Sequence, residues 1–280
     1  METIIFDGRT EAQKIKEELK KAAAAAGLKP RLAVVLVGNN PASVGYIKQK
    51  KKACENLGFG FELHHLPETA SFDEIKRQLL IVNSQLSIDG LILQLPIPRH
   101  LASSTDALIQ LIDPAKDIDG LTPNSPFTPP TALAVLQVLK SSSVSVEGAQ
   151  IAVLGRGPTA GRPVADLLRK NGAEVSVIHS QTPLSTANDQ LSTADIIVSC
   201  VGRPNLIKGN LIKEGAVVIG VGISQLLTVN SQLKIVGDLD EPSLTSRASL
   251  VTPTPGGIGP LTVAFLLKNL FEAEKMKQKA

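Results

Sequence analysis

The chain predicts an α/β protein of two domains, each built on a mainly parallel sheet, and three observations carry that expectation. From residue 10 onward, short β-branched apolar runs alternate with helix-length amphipathic stretches, the pattern of successive βαβ units. The length of 280 residues is about that of two ordinary domains. A Pro-rich stretch from Thr122 to Pro130 then interrupts the alternation, with four prolines among nine residues that resist regular structure.

Taken in order, a Lys/Glu/Ala-rich stretch over residues 11–26, closed by Gly27, predicts the first helix. A strand at 32–37, a helix at 43–56, a strand at 59–63, a helix at 71–83 and a strand at 90–95 follow. These make a first domain, residues 1–122, while residues 123–140 read as the connecting segment with a helix at 131–140. A second βα series, residues 141–259, has apolar strands at 150–154, 174–178, 195–200 and 216–221 and a shorter one at 234–236. A last helix runs from about residue 260 to the end.

Composition excludes several classes of function. Hydrophobic residues are 43% and charged residues 20%, which rules out wholesale disorder. The formal charge of +3 is too small a surplus to imply nucleic acid, and 3% aromatic residues with no Trp leave little to stack on bases. No apolar run approaches the ~20 residues of a membrane span, and no signal-peptide pattern opens the chain. Two cysteines, Cys54 and Cys200, do not make a disulfide framework, so a cytoplasmic, reducing location is expected. The four histidines and two cysteines show no zinc spacing, and no metal is expected.

Six patterns are candidates for chemistry. Gly155-Arg156-Gly157 through Gly161 follows a strand and opens a helix, where glycines let backbone approach a phosphate and free N–H groups meet an anion. Ser180, just past the next strand, and Arg156 suit a 2′-phosphate better than a ribose hydroxyl, which points to NADP, with NAD as the alternative. Tyr46 and Lys50 lie four apart on a helix and share a face, although neighbouring Lys48, Lys51 and Lys52 also fit a solvated basic surface. Gln94, with Leu95 and Pro96 after it, ends an apolar strand and needs buried partners, either an incoming lysine or nearby backbone. Asp117-Ile118-Asp119-Gly120 is a turn, and Pro253-Thr-Pro255-Gly256-Gly257-Ile-Gly-Pro-Leu-Thr262 is a shaped loop leading into the last helix.

In order and spacing, these segments together resemble the bifunctional methylenetetrahydrofolate dehydrogenase/methenyltetrahydrofolate cyclohydrolase family, from about residue 6 to 271. The resemblance implies an N-terminal βαβ folate-binding catalytic domain, a C-terminal Rossmann-like NAD(P)-binding domain, a last helix at 260–280 returning to the first domain, and a homodimer. It makes Lys50 the catalytic ammonium held by Gln94, has Tyr46 stacked on the folate, and gives Asp119 a hydrogen bond to the pterin. Leu95, Pro96, Pro255, Gly256, Gly257 and Thr262 would approach the folate. Gly155, Arg156, Gly157, Ser180 and Ile223 would line the cofactor site. Gln181 stands where many relatives carry Lys or Arg, Gly157 replaces a common Ser, and the segment after Gly120 is shorter than usual. Two rival readings follow from the same residues. A Tyr-x-x-x-Lys pair also marks short-chain dehydrogenases, but there the Gly-rich loop precedes the pair, the reverse of the order here. A non-catalytic dinucleotide-binding module would have no use for Lys50, Gln94 and Asp119.

Overall fold

The computed structural model describes residues 2–227 and 233–279. Its first half runs β1 (Ile4–Ile5), α1 (Gly8–Ala26), β2 (Arg31–Val37), α2 (Pro41–Leu57), β3 (Gly60–Leu66), α3 (Phe72–Ser84), β4 (Gly90–Leu93), α4 (Thr105–Ile109) and α5 (Pro130–Ser141). The second half runs β5 (Gln150–Leu154), α6 (Gly161–Lys170), β6 (Glu174–Ile178), α7 (Leu184–Thr193), β7 (Ile196–Ser199), β8 (Val217–Gly220), β9 (Ile223–Leu227), β10 (Leu233–Gly237), α8 (Glu241–Leu244), β11 (Leu250–Val251) and α9 (Ile258–Lys277). The chain divides into two compact units. One is Gln13–Pro130 with Val263–Ala280, and the other is Met1–Ala12 with Thr131–Thr262.

The first unit is organised by β2, the middle strand of a three-stranded parallel sheet ordered β3-β2-β4. Alternate β2 residues point to opposite faces, and both faces are covered, which explains its unbroken apolar run. Leu32, Val34 and Leu36 pack with Ile47, Cys54 and Leu57 of α2 and with Leu266, Leu267 and Leu270 of α9. Ala33, Val35 and Val37 pack with Ile75, Leu79 and Val82 of α3 and with Leu108 and Ile109. Asn40 starts α2 by accepting hydrogen bonds from the backbone of Ala42 and Ser43, and Gly58 ends it in a left-handed conformation. Ser71 and Glu74 form a reciprocal capping box at the start of α3.

The second unit holds a six-stranded, all-parallel sheet in the order β1-β11-β8-β7-β5-β6. β9 and β10 form a separate antiparallel hairpin, a departure from the expected parallel pattern. Two further differences from the sequence expectation concern which unit a segment joins. The opening residues, expected within a domain spanning 1–122, pair instead with the second sheet, Ile4 opposite Leu250 and Ile5 opposite Val251. A two-residue strand is too short to show a period, so only its pairing assigns it. The segment expected as a connector, 123–140, is shared. Phe127 is buried in the core of the first unit, whereas Ala132, Ala134, Val135, Val138 and Leu139 of α5 are buried within the second.

Candidate functional site

In the first unit, α2 places Tyr46, Lys50 and Cys54 on one face at successive turns. The Lys50 ammonium, only 9% exposed, donates to Gln94 Oε1 at 3.0 Å. Gln94 follows β4, and its backbone N–H is held by Val35 O at 2.8 Å. Its side-chain amide donates to Leu95 O at 2.9 Å, and Ser43 of α2 donates to the same carbonyl at 3.3 Å. Both uses open to Gln94 in the sequence are therefore made at once: the oxygen takes the lysine and the N–H takes the backbone. The Leu95–Pro96 peptide bond is cis.

Burial pulls the Lys50 pKa below the ordinary lysine range, while the nearby charge of Asp119 pulls it back up. Burial raises the Asp119 carboxyl, Lys50 lowers it, and Asp117 raises it further. The Tyr46 phenol is raised by burial, which keeps the ring neutral and fits poorly with a tyrosinate base of the short-chain dehydrogenase type. The turn carrying Asp119 is tightly built. Asp117 Oδ2 accepts from the N–H and the hydroxyl of Thr122, at 2.6 and 2.8 Å. Ser125 donates to Asp117 O at 2.9 Å. Gly120 sits at φ +66, where a Cβ would lie 2.5 Å from Phe127 O.

In the second unit, the loop between β5 and α6 has the features of a phosphate cradle. Gly155 adopts φ +97, and a Cβ there would lie 2.8 Å from Cys200 O. A Cβ on Gly161 would lie 2.1 Å from Gly155 O, so the loop folds back on itself only with glycine at both positions. Around Gly157 nothing stands within 4 Å of a Cβ, and the α6 N-terminus has no side-chain cap. Arg162 N donates to Gly157 O at 3.1 Å and Pro163 has no N–H, so what suits a dinucleotide pyrophosphate here is the close backbone approach the glycine loop allows at the positive end of the α6 dipole. Arg156 donates to Gln181 Oε1 at 3.3 Å beside the exposed Ser180, so the 2′-phosphate candidates lie side by side.

Asp238, fully buried, was not among the residues that stood out in the sequence. It accepts from Ser199 Oγ at 2.7 Å, Val201 N at 2.9 Å and Arg203 N at 2.8 Å, fixing the turn after β7. A Cβ on Gly222 would lie 2.2 Å from Asp238 Oδ2, so the same carboxylate also fits closely against the residue before Ile223. The Pro255-Gly256-Gly257 loop has a cis Thr254–Pro255 bond, and Gly256 is at φ +123. Gly257 N donates to Pro253 O at 2.9 Å, and Thr262 on the first turns of α9 donates back to Ile258 O at 3.2 Å. Gly8, at the start of α1, supports this loop, since a Cβ there would fall 1.8 Å from Gly257 O. Sequence reasoning missed Gly8; the signal available was a glycine opening a helix next to the chain start.

A family model for the catalytic domain of tetrahydrofolate dehydrogenase/cyclohydrolase matches residues 6–119, and the model for its NAD(P)-binding domain matches residues 129–278. The chain belongs to the tetrahydrofolate dehydrogenase/cyclohydrolase family. Among its family relatives, the bifunctional protein FolD of a Nitratiruptor species is 38% identical over 289 residues, which cover 99% of each chain. The solved methylenetetrahydrofolate dehydrogenase-cyclohydrolase (FolD) of Trypanosoma brucei, complexed with NADP cofactor and inhibitor, superposes with a TM-score of 0.94 at 35% identity over all of both chains. The bifunctional FolD of Campylobacter jejuni superposes with a TM-score of 0.89 at 36% identity, covering 98% of this chain and 99% of that one. In family terms, the Lys50–Gln94 pair lies in the catalytic domain and the glycine cradle in the NAD(P)-binding domain. No helix among the described residues is long and apolar enough to cross a membrane.

Proposed function

We propose that this protein oxidises 5,10-methylenetetrahydrofolate to 5,10-methenyltetrahydrofolate with NADP⁺ and hydrolyses the product to 10-formyltetrahydrofolate. The observation that carries the reading is the buried ammonium of Lys50, held by Gln94 and faced by the charge of Asp119, in a family member with a glycine cradle for NAD(P). Gly155, Arg156, Gly157, Ser180 and Ile223 would hold NADP, and acceptance of a hydride is the chemistry that cofactor supplies when bound. Arg156 and Ser180 favour a 2′-phosphate over NAD, and the Gln181 amide is a neutral neighbour to it.

The folate is held by the other residues. The protonated, half-buried Tyr46 ring offers a flat face for stacking on the folate. Asp119 accepts hydrogen bonds from the pterin. Leu95 and Pro96, with Pro255, Gly256, Gly257 and Thr262, approach the substrate. In the hydrolytic step a water oxygen bonds to the methenyl carbon, and the proton it loses passes to the neutral amine of Lys50. As the carbon–N5 bond breaks, the remaining hydroxyl proton is released with formation of the formyl C=O, and N5 takes the proton carried by Lys50, so that one proton leaves overall. Burial lowers the Lys50 pKa and so favours the neutral amine this step needs, and Gln94 Oε1 keeps Nζ in place through the transfer.

The first domain is the folate-binding catalytic domain, completed by the last helix, and the second is the dinucleotide-binding domain. The protein works as a cytoplasmic homodimer serving tetrahydrofolate interconversion and purine biosynthesis. The test is to mix the protein with 5,10-methylenetetrahydrofolate and either NADP⁺ or NAD⁺, following reduced nicotinamide and methenyl absorbance separately. Reduced cofactor without methenyl build-up, faster with NADP⁺, is expected, whereas no reduction with either cofactor overturns the reading. Lys50→Ala is expected to abolish methenyl hydrolysis and leave NADP⁺ binding intact.

A further inference from the structure

One buried polar side chain on α9 belongs to neither the hydride step nor the proton step. Asn269, 7% exposed, lies on the buried side of the helix with Leu266, Leu267, Leu270 and Phe271, while Lys268 just before it is exposed. Its Nδ2 donates to two backbone carbonyls, Ile118 O at 2.9 Å and Thr128 O at 3.0 Å. These carbonyls come from the two limbs of the loop that carries Asp119. Ile118 immediately precedes it, and Thr128 follows Phe127, whose carbonyl crowds Gly120. A buried amide in an apolar helix costs free energy unless its hydrogen bonds are made, and here both N–H groups go to this loop.

The other supports of the loop act on one limb or tie the turn to itself. Asp117 holds Thr122 and Ser125, and Lys116 donates to the carbonyls of Asn83 and Gln85 at 2.7 and 2.8 Å. Asn269 bridges both limbs to the helix, and α9 is pressed against the sheet beside them: a Cβ on Gly90 would lie 2.7 Å from Leu270 Cδ1 and 2.9 Å from Ile118 Cδ1. The position of the Asp119 carboxylate relative to Lys50 therefore depends on a side chain about 150 residues further along the chain, as the Asn269–Ile118 bond records. We infer that Asn269 is a positioning residue for the folate reaction, setting the place of the Asp119 carboxylate through the backbone on either side of it. The inference rests on the reading of Asp119 as the carboxylate that engages the folate.

A double-mutant cycle on the full chain tests it, using Asn269→Ser, Asp119→Asn and the pair. Asn269→Ser is expected to raise the KM for 5,10-methylenetetrahydrofolate roughly tenfold with kcat less affected, while the NADP⁺ dissociation constant measured without folate stays the same. Its cyclohydrolase pH profile is expected to move in the same direction as that of Asp119→Asn. On the Asp119→Asn background the second substitution should add less than about twofold. Multiplicative losses in the pair, or an unchanged KM in Asn269→Ser, overturn the inference while leaving the folate reading in place. An unchanged KM in Asp119→Asn overturns the role of Asp119, and the inference with it. Should Asn269→Ser fail to fold, Asn269→Gln, which keeps the amide but displaces it by one methylene, completes the same cycle.

Discussion

At 9% exposure the Lys50 ammonium has lost most of its hydration, and the neutral amine gains by comparison. Gln94 Oε1 accepts from either form of the amine and so holds its place without restoring its charge. Asp119 works the other way, because a nearby carboxylate favours the ammonium. Cyclohydrolase activity should therefore rise with pH through a midpoint below the ordinary lysine value of 10.5. Asp119→Asn removes the supporting negative charge and should move that midpoint lower, and Gln94→Glu adds one and should move it higher. A pH–rate series on the three proteins checks both directions; a common midpoint would remove Lys50 from the proton step. Cys54, one turn beyond Lys50, has its thiol pushed up to about 12 by burial, and Cys200 is pushed up to about 12 as well. Neither thiol should react with a disulfide reagent at about pH 8 until the protein is unfolded, because the thiolate is the reactive form.

At the scale of elements, two helices do more than cover sheets: α2 delivers Lys50 to the end of β4, and α1 seats the loop before α9. α2 is set by its Asn40 cap and by Ser43 on Leu95 O, which together fix the turn that faces Gln94. The start of α1 fits the Pro255-Gly256-Gly257 loop through a glycine, with no space for even a methyl group, since a Cβ on Gly8 falls 1.8 Å from Gly257 O. Gly8→Ala is expected to cost about 1–3 kcal/mol of stability, the usual range for overpacking a tight contact. Urea unfolding measures this, and a variant as stable as the parent would mean that the loop yields easily. Many helices and strands of ordinary length were legible from their periods, and α3, β5 and β6 fall within a residue of expectation or on it, whereas the five-residue β9 was not read as a strand. β1 and β11, two residues each, were not legible, because a period of two cannot be read in a single repeat.

For the whole molecule, the chain order of the elements differs from their grouping in space. The opening segment joins the unit built mainly from the second half, and the closing residues join the unit built mainly from the first. Val263, Leu266, Leu267, Leu270, Phe271 and Ala273 are all buried in the core of that first unit. Burying a large apolar side chain is worth about 1.5–3 kcal/mol, so losing this set removes an amount comparable with the ~5–15 kcal/mol that stabilises a typical domain. A chain ending at Thr262 should therefore lose cooperative unfolding of the folate-binding unit and all folate binding, as calorimetry and substrate titration would record. Retention of both would show that α9 merely covers a unit already stable without it.

The sequence alone determined what local pattern can encode. Alternating periods of two and 3.6 yielded the order of strands and helices, the glycines after β5 marked the cofactor cradle, and a spacing of four put Tyr46 and Lys50 on one helical face. The Pro-rich stretch marked a change of organisation, although its residues proved to be shared between the two units. The resemblance implied that Gln94 meets Lys50 and the tertiary structure made the bond, but only the tertiary structure decided that Asp238 holds the turn after β7 and that Asn269 grips the Asp119 loop. Each of these is a hydrogen bond between residues 39 to 151 positions apart. Such contacts leave no periodic trace, since a lone polar residue in an apolar run looks the same before its partner is known, and its partner is chosen by packing.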